Sequence, residues 1–329
     1  MVIKVWDNPE IFSIQVDLPQ NPLRNLNVYV IRTPDQNLLI DTGFNRYECC
    51  AALWAGIREL GLDLNKTSVF LTHLHSDHIG LAGDFVVQGC PIYMGRIDYE
   101  YLDGVKNGST QSAIDELFRF EGFPAELLAR QNRENQGRRY GVKQMYPAQL
   151  VEDGATIDLG DLTVQCIHTP GHTPGHMVLY LPHEQLLFTG DHILFDITPN
   201  ISIWGNVPHS LKDYLSSLEK IRSLPVQAAF PAHRHRGKSV DQRIDELQSH
   251  HKERLEEIHW AVVKNPGATA YQTAGMITWS ARGLGWDQFP PHQKWFAMGE
   301  TLAHLYFLTD EKKLIRDCTG TFVRYNSAQ

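Results

Sequence analysis

Thr72-His73-Leu74-His75-Ser76-Asp77-His78 places three imidazoles and a carboxylate within seven residues. Imidazole nitrogen and carboxylate oxygen are the donors that borderline divalent ions such as zinc prefer. A zinc-protease helix would set two histidines four apart with Glu between them. The spacing H-x-H-x-D-H instead suits a loop wrapped around an ion. Three later segments repeat the same layout, an apolar run followed by potential ligands. They are Ile167-His168-Thr169-Pro170-Gly171-His172-Thr173-Pro174-Gly175-His176, then Phe188-Thr189-Gly190-Asp191-His192, then Phe230-Pro231-Ala232-His233-Arg234-His235. Gly171 and Gly175 permit tight backbone near an ion, and Pro170 and Pro174 stiffen the loop.

The elements that must deliver these loops can be read from the apolar pattern. Ser68-Val69-Phe70-Leu71, directly before the first motif, reads as a buried strand, as do Val28–Ile31 and Leu38–Ile40. Ile11 to Val16 alternates as a strand does, and Cys49 to Leu60 has helical periodicity closed by Gly61. Ile79 to Val87 is expected to be a short helix and Pro91–Met94 a strand, so strands alternate with helices in a layered α/β domain. Strand patterns resume at Thr156–Leu159, Leu162–Ile167, Met177–Leu181 and Gln185–Thr189, with a helix over Leu211–Arg222 and a last strand at Ala228–Phe230. Strand ends along one sheet edge are where such loops can converge. Between Asp98 and Gln149 lies a polar, helix-prone insertion (Ala113–Phe120, Pro124–Gln131), expected to cap the site, with Arg139 and Tyr140 as candidate substrate contacts. Past Gly237 the periodicity predicts a long helix over Val240–Lys264 with Ser239 as N-cap. Shorter helices follow at Thr269–Trp279 and Pro291–Leu308, then a hairpin of Lys313–Arg316 and Thr321–Arg324.

Composition bounds the partners. The chain has 329 residues, 42% hydrophobic and 21% charged, with net charge −8. That balance argues against general affinity for nucleic acid or anionic lipid, and no apolar run is long enough to span a membrane. The N-terminus lacks the layout of a signal peptide. Five cysteines, two of them adjacent (Cys49-Cys50), make a poor disulfide framework, so reduced thiols and a cytoplasmic protein are expected.

In identity and order, His73-x-His75-x-Asp77-His78, Thr169-Pro170-Gly171-His172-Thr173, Gly190-Asp191 and the late His233 resemble the motifs of the metallo-β-lactamase superfamily, in its glyoxalase II-like branch. The resemblance covers residues 10–237 and implies an α/β fold, an αββα sandwich with a dinuclear site at one sheet edge. It implies that His73, His75 and His172 hold one divalent ion, that Asp77, His78 and His233 hold the other, and that Asp191 bridges them. Zinc is the expected metal, with iron or manganese as alternatives, and Asp77 is the expected catalytic proton handler. Asp41 matches the family's early aspartate, which orients the His loop. His235 is a rival to His233, because Ala232-His233-Arg234 departs from the family's usual Gly-His-Gly. His168, His176 and His192 are expected to be structural. The domain reading is 1–237 catalytic, with the cap at 98–149, and 238–329 helical, similar to the winged-helix-like extension on part of the superfamily. The implied activity is hydrolysis of a small acyl substrate, a thioester or lactone. The alternatives are a phosphodiesterase or endoribonuclease of the same fold, or a mononuclear-iron sulfur dioxygenase. A DNA reader is disfavoured by Thr269–Trp279, which contains no Lys or Arg. Trp279, Trp286, Phe289, Trp295 and Phe296 are expected to pack the core, with a substrate wall or homodimer contact as alternatives.

Overall fold

The computed structural model describes residues 1–205, 207, 209–234, 237–279 and 284–328. One sheet contains Val2–Trp6 (β1), Glu10–Asp17 (β2), Asn25–Arg32 (β3), Asn37–Ile40 (β4), Thr67–Leu71 (β5), Ile92–Gly95 (β6) and Gln149–Val151 (β7), in sequential order. β1 to β4 are antiparallel; β4 to β7 are parallel. The second sheet contains Thr156–Asp158 (β8), Thr163–His168 (β9), Met177–Leu181 (β10), Leu186–Gly190 (β11) and Ala228–Pro231 (β12). Its strands run antiparallel except for the parallel β11–β12 pair. The helices are Tyr47–Leu60 (α1), Ser76–Ile79 (α2), Ala82–Val87 (α3), Arg96–Lys106 (α4), Ser109–Phe120 (α5), Ala125–Glu134 (α6), Gln136–Tyr140 (α7), Ser210–Arg222 (α8), Val240–Lys264 (α9), Ala270–Met276 (α10) and Pro291–Asp310 (α11). A terminal hairpin joins Leu314–Asp317 (β13) to Arg324–Ser327 (β14).

Side-chain alternation makes these strands into a sandwich. Tyr29, Ile31, Leu38, Ile40 and Phe70 of the first sheet meet Val164, Cys166, Leu179 and Phe188 of the second in one buried cluster. Their alternating neighbours Val28, Val30, Leu39, Val69 and Leu71 turn outward onto Leu53 and Ile57 of α1 and Phe85 of α3. Ile167, Val178, Tyr180 and Leu187 turn outward from the second sheet onto α8, α9 and α11. Both faces of each central strand are therefore apolar, which is why these runs read as continuous rather than alternating. The result is the expected αββα architecture.

Several local expectations are corrected. β1 precedes the named strand runs and pairs along β2 as an edge. The first motif is not loop throughout, since Asp77 and His78 sit on the one-turn helix α2, with Gly80 N–H donating to Ser76 O at 3.0 Å. α10 stops at Met276, and Trp279 folds back to donate from Nε1 to Ala274 O. β14 starts at Arg324 rather than Thr321, because Asp317 Oδ1 accepts from Thr319 N–H and Oγ1 and opens a wider loop. Of the aromatics expected in the core, Phe289 is buried and Trp279, Trp286 and Trp295 are partly buried, whereas Phe296 is exposed. α9 begins as expected, with a reciprocal capping box between Ser239 and Gln242.

Candidate metal centre

The loops after β9, β11 and β12, whose strands run in one direction, converge with the loop after β5. Two groups of potential ligand atoms result, each within 4.8 Å: His73, His75, His172 and Asp191, and Asp77, His78 and His233. All seven residues singled out by the motifs lie in these groups. His235 lies outside the described residues. His168, His176 and His192 are in neither group. His168 Nε2 donates to Pro174 O, His176 bridges Thr169 and Asp191 N–H, and His192 packs edge-on against Tyr214.

The two groups touch through Asp191. Its Oδ2 lies 3.5 Å from His172 Nε2, and its Oδ1 lies 3.6 Å from His78 Nε2 and 3.4 Å from His233 Nε2. Asp77 Oδ2 stands 3.5 Å from His233 Nε2 and 3.9 Å from His78 Nε2.

Which nitrogens face inward is decided by what the other nitrogens do. His172 Nδ1 donates to Asn200 O at 2.9 Å, and His233 Nδ1 to Asn25 O at 2.7 Å. His78 Nδ1 donates to Asp41 Oδ2 at 2.7 Å, and His73 Nδ1 to Thr72 Oγ1 at 3.0 Å. Asp41 also accepts from Thr72 N–H and Oγ1, so one carboxylate fixes both the start and the end of the motif. The inward nitrogens then crowd together. His78 Nε2 is 3.2 Å from His233 Nε2, and His75 Nδ1 is 3.0 and 2.9 Å from His73 Nε2 and His172 Nε2. Lone pairs this close repel unless a proton or a cation lies between them.

The electrostatics call for positive charge. Burial, and then the neighbouring imidazoles His78 and His75, hold His73 well below the ordinary imidazole value. Burial and then His172 do the same to His75, so both rings are neutral and ligand-competent. Burial opposes protonation of His78, yet the carboxylates of Asp41, Asp191 and Asp77 lift it well above that value. Burial likewise opposes ionisation of Asp191, and His233, His78 and His172 outweigh it to keep the carboxyl well below the usual range. Asp191 Oδ1 is buried with no hydrogen-bond partner. Inward-facing imidazole nitrogens, buried carboxylates and an orphaned carboxylate oxygen between two groups form a donor set that fits a pair of divalent ions.

Some supporting residues were not visible in the motifs. Asn25 and Asn200 act through backbone carbonyls, and Trp204 donates from Nε1 to His172 O at 3.0 Å while its ring lies 5.5 Å from that of His75. Tyr101 of α4 donates to Trp204 O. Asn25 and Asn200 carry no spacing signal, since a carbonyl is available at every position. Of the cap candidates, Tyr140 ends α7, which sits over α2 through Ser76 Oγ donating to Gly137 O at 2.7 Å. The guanidinium groups of Arg46 and Arg139 each lie over the Tyr140 ring, 5.2 and 5.3 Å from its centroid. Gly171 and Gly175 make close approaches to neighbouring backbone and side chains: a Cβ on Gly171 would lie 2.5 Å from Tyr214 Cβ.

A family model of the metallo-β-lactamase superfamily matches residues 22–233, and one of the metallo-β-lactamase-like C-terminal domain matches residues 286–328. The chain is 28% identical to a β-lactamase-like protein 2 homolog of Caenorhabditis elegans, over 72% of this chain and 65% of that protein. It is 29% identical to an atrochrysone carboxyl ACP thioesterase of Emericella nidulans, over 66% of this chain and 53% of that one. The matches thus span between about half and two thirds of these relatives' length. Among solved structures, a metallo-β-lactamase family protein from Thermus thermophilus superposes with TM-score 0.81 at 28% identity, over 96% of this chain and 98% of that one. A β-lactamase domain protein from Burkholderia ambifaria shares the fold with TM-score 0.84 at 24% identity, over 99% and 94%. The first family model spans more than half of the chain and contains every loop of the centre, and the chain belongs to the metallo-β-lactamase superfamily.

Proposed function

We propose that this protein hydrolyses a thioester of a small acyl group at a site holding two divalent ions, zinc foremost, with iron or manganese as the alternatives. The observation that carries the reading is the pair of donor groups joined at Asp191, whose Oδ1 lacks any other partner. On this reading His73, His75 and His172 hold one ion, Asp77, His78 and His233 hold the other, and Asp191 bridges. When bound, such a pair supplies a water of lowered pKa and a Lewis acid for the scissile carbonyl. The protein's part is to aim the ring nitrogens inward, with Asn25, Asn200, Asp41 and Thr72 each holding the opposite nitrogen of one ring. Asp77 is the group placed to take a proton from the attacking water, within reach of the centre but with its side chain 10% exposed. A thiolate leaves without strong protonation, because its conjugate acid has a pKa of about 8.5. A centre with no separate general acid for the leaving group is therefore sufficient. The thioesterase names among the relatives favour the same substrate class. The five free thiols suit a reducing compartment, which favours the cytoplasm.

The test combines metal analysis of the purified protein with turnover of thioester, lactone and RNA panels. Two ions per chain with thioester turnover is the expected result. A single iron with oxygen uptake, or RNA cleavage without thioester turnover, would overturn the reading. Asp77→Asn is expected to lower kcat for the thioester by about 10²–10⁴-fold, with an ion still held by the three-imidazole group.

A further inference from the structure

Asp98 is a buried carboxylate in the first turn of α4, where the chain leaves the first sheet to enter the cap. Three donors converge on it. Leu74 N–H donates to Oδ2 at 2.9 Å, Thr173 Oγ1 to Oδ2 at 2.6 Å, and Gly175 N–H to Oδ1 at 2.6 Å. Leu74 lies between His73 and His75, and Thr173 follows His172. One side chain therefore ties the loop carrying two imidazoles of the first group to the loop carrying the third. The approach is close enough to constrain sequence: a Cβ on Gly175 would lie 2.3 Å from Asp98 N. Asp98 belongs to neither ligand group, so it acts on the centre only through these loops.

We propose that Asp98 is a positioning residue that sets the spacing of His73 and His75 against His172, making the first turn of the cap part of the metal scaffold. A carboxylate is needed because all three partners are donors. An amide in its place turns an NH2 toward one of them, and a buried donor facing a donor is strongly unfavourable. Partners that orient ligands in this way typically contribute about 10–100-fold to metal affinity.

The inference rests on the metal-dependent reading above, and the experiment separates the two. Full-length wild type, Asp98→Asn and Thr173→Val are stripped of metal and titrated with Zn2+ against a chromophoric chelator. The d–d spectra of their Co2+ forms are recorded alongside. Wild type is expected to take up two ions. Asp98→Asn is expected to bind one of them about 10–100-fold more weakly, with an altered Co2+ spectrum and the other site unchanged. Thr173→Val removes one donor and is expected to show a smaller loss in the same direction, and it decides the matter if Asp98→Asn fails to fold. Arg316→Ala, which weakens the fold far from these loops, is expected to keep both affinities. Wild-type affinity and spectrum in Asp98→Asn, or in Thr173→Val where that variant decides, would overturn the positioning role and leave the metal reading standing. Absence of ion uptake by wild type would overturn both.

Discussion

At His73, His78, His172 and His233 the protein holds one ring nitrogen and turns the other toward the centre, and the same device appears in a pair outside it. His304 Nδ1 donates to Glu300 O at 2.7 Å, so its Nε2 must accept from His251 Nδ1, 3.1 Å away. His251 Nε2 is then buried without a partner. Burial pushes His304 down to about 3. Its ordinary value is about 6.5, so below that pH the unfolded chain takes up a proton that the native state refuses until about pH 3. This contribution to stability is complete above pH 6.5 and is lost as pH falls, by about 1.4 kcal/mol per pH unit. His304→Asn carries no such proton. Urea unfolding between pH 7.5 and 5 is expected to show a lower starting stability for the variant and a shallower decline below about pH 6, by that one-proton slope. Equal slopes in the two proteins would contradict the assignment.

Between elements, a buried polar clasp joins the end of α5 to the C-terminal hairpin. Glu121, which ends α5, is fully buried and accepts from Arg316 of β13 at 2.9 and 3.1 Å and from Tyr325 of β14 at 3.0 and 3.1 Å. Burial raises its carboxyl, and Arg316 and Tyr325 work against that rise. Arg316→Ala would strand a buried carboxylate, which costs roughly 2–4 kcal/mol once the partial exposure of Arg316 is allowed for. The expected outcome is a lower urea midpoint and a lower Tm, with Glu121→Gln, Arg316→Ala recovering part of the loss because no charge remains to be buried. The contrast between this clasp and the metal motifs shows what the sequence makes legible. His73 to His78 declare themselves because contiguous ligands of one chemical type are improbable as a polar turn, and the central strands declare themselves because both faces are apolar. Glu121, Asp98 and Asn200 are single residues whose partners lie 195, 75 and 28 positions away. Their types are ordinary for a helix end or a loop, so only the folded chain gives them a role. α2 escapes the pattern for a related reason: a single turn is too short for periodicity to register, and the packing of α7 over α2 accompanies it.

Across the whole molecule, the apolar core does not stop where the ligand-bearing segments end. Tyr214, Leu218 and Ile221 of α8 share one buried cluster with Ile244, Leu247 and Ile258 of α9, with Met298 and Leu302 of α11, and with Phe118 and Phe123 of the cap. Trp295 stacks on Phe118 at 5.1 Å, and Arg243 of α9 donates to Leu194 O and Ile197 O in the loop that follows Asp191. The outer face of the second sheet is thus covered by α8 and then by α9 and α11, in place of solvent. A chain ending after His235 would keep all of the ligands placed here, including Asp191 and His233. It would also expose the apolar faces of α8 and of the cap and leave Glu121 without Arg316 or Tyr325. Exposed apolar area on this scale drives association rather than a stable monomer, and the stranded carboxylate adds to the loss. Expression of residues 1–235 is therefore expected to give aggregated protein, read by size-exclusion chromatography and light scattering. A soluble monomer with wild-type turnover would show instead that the catalytic sandwich completes its own core, and that α9 to β14 serve some purpose other than stability.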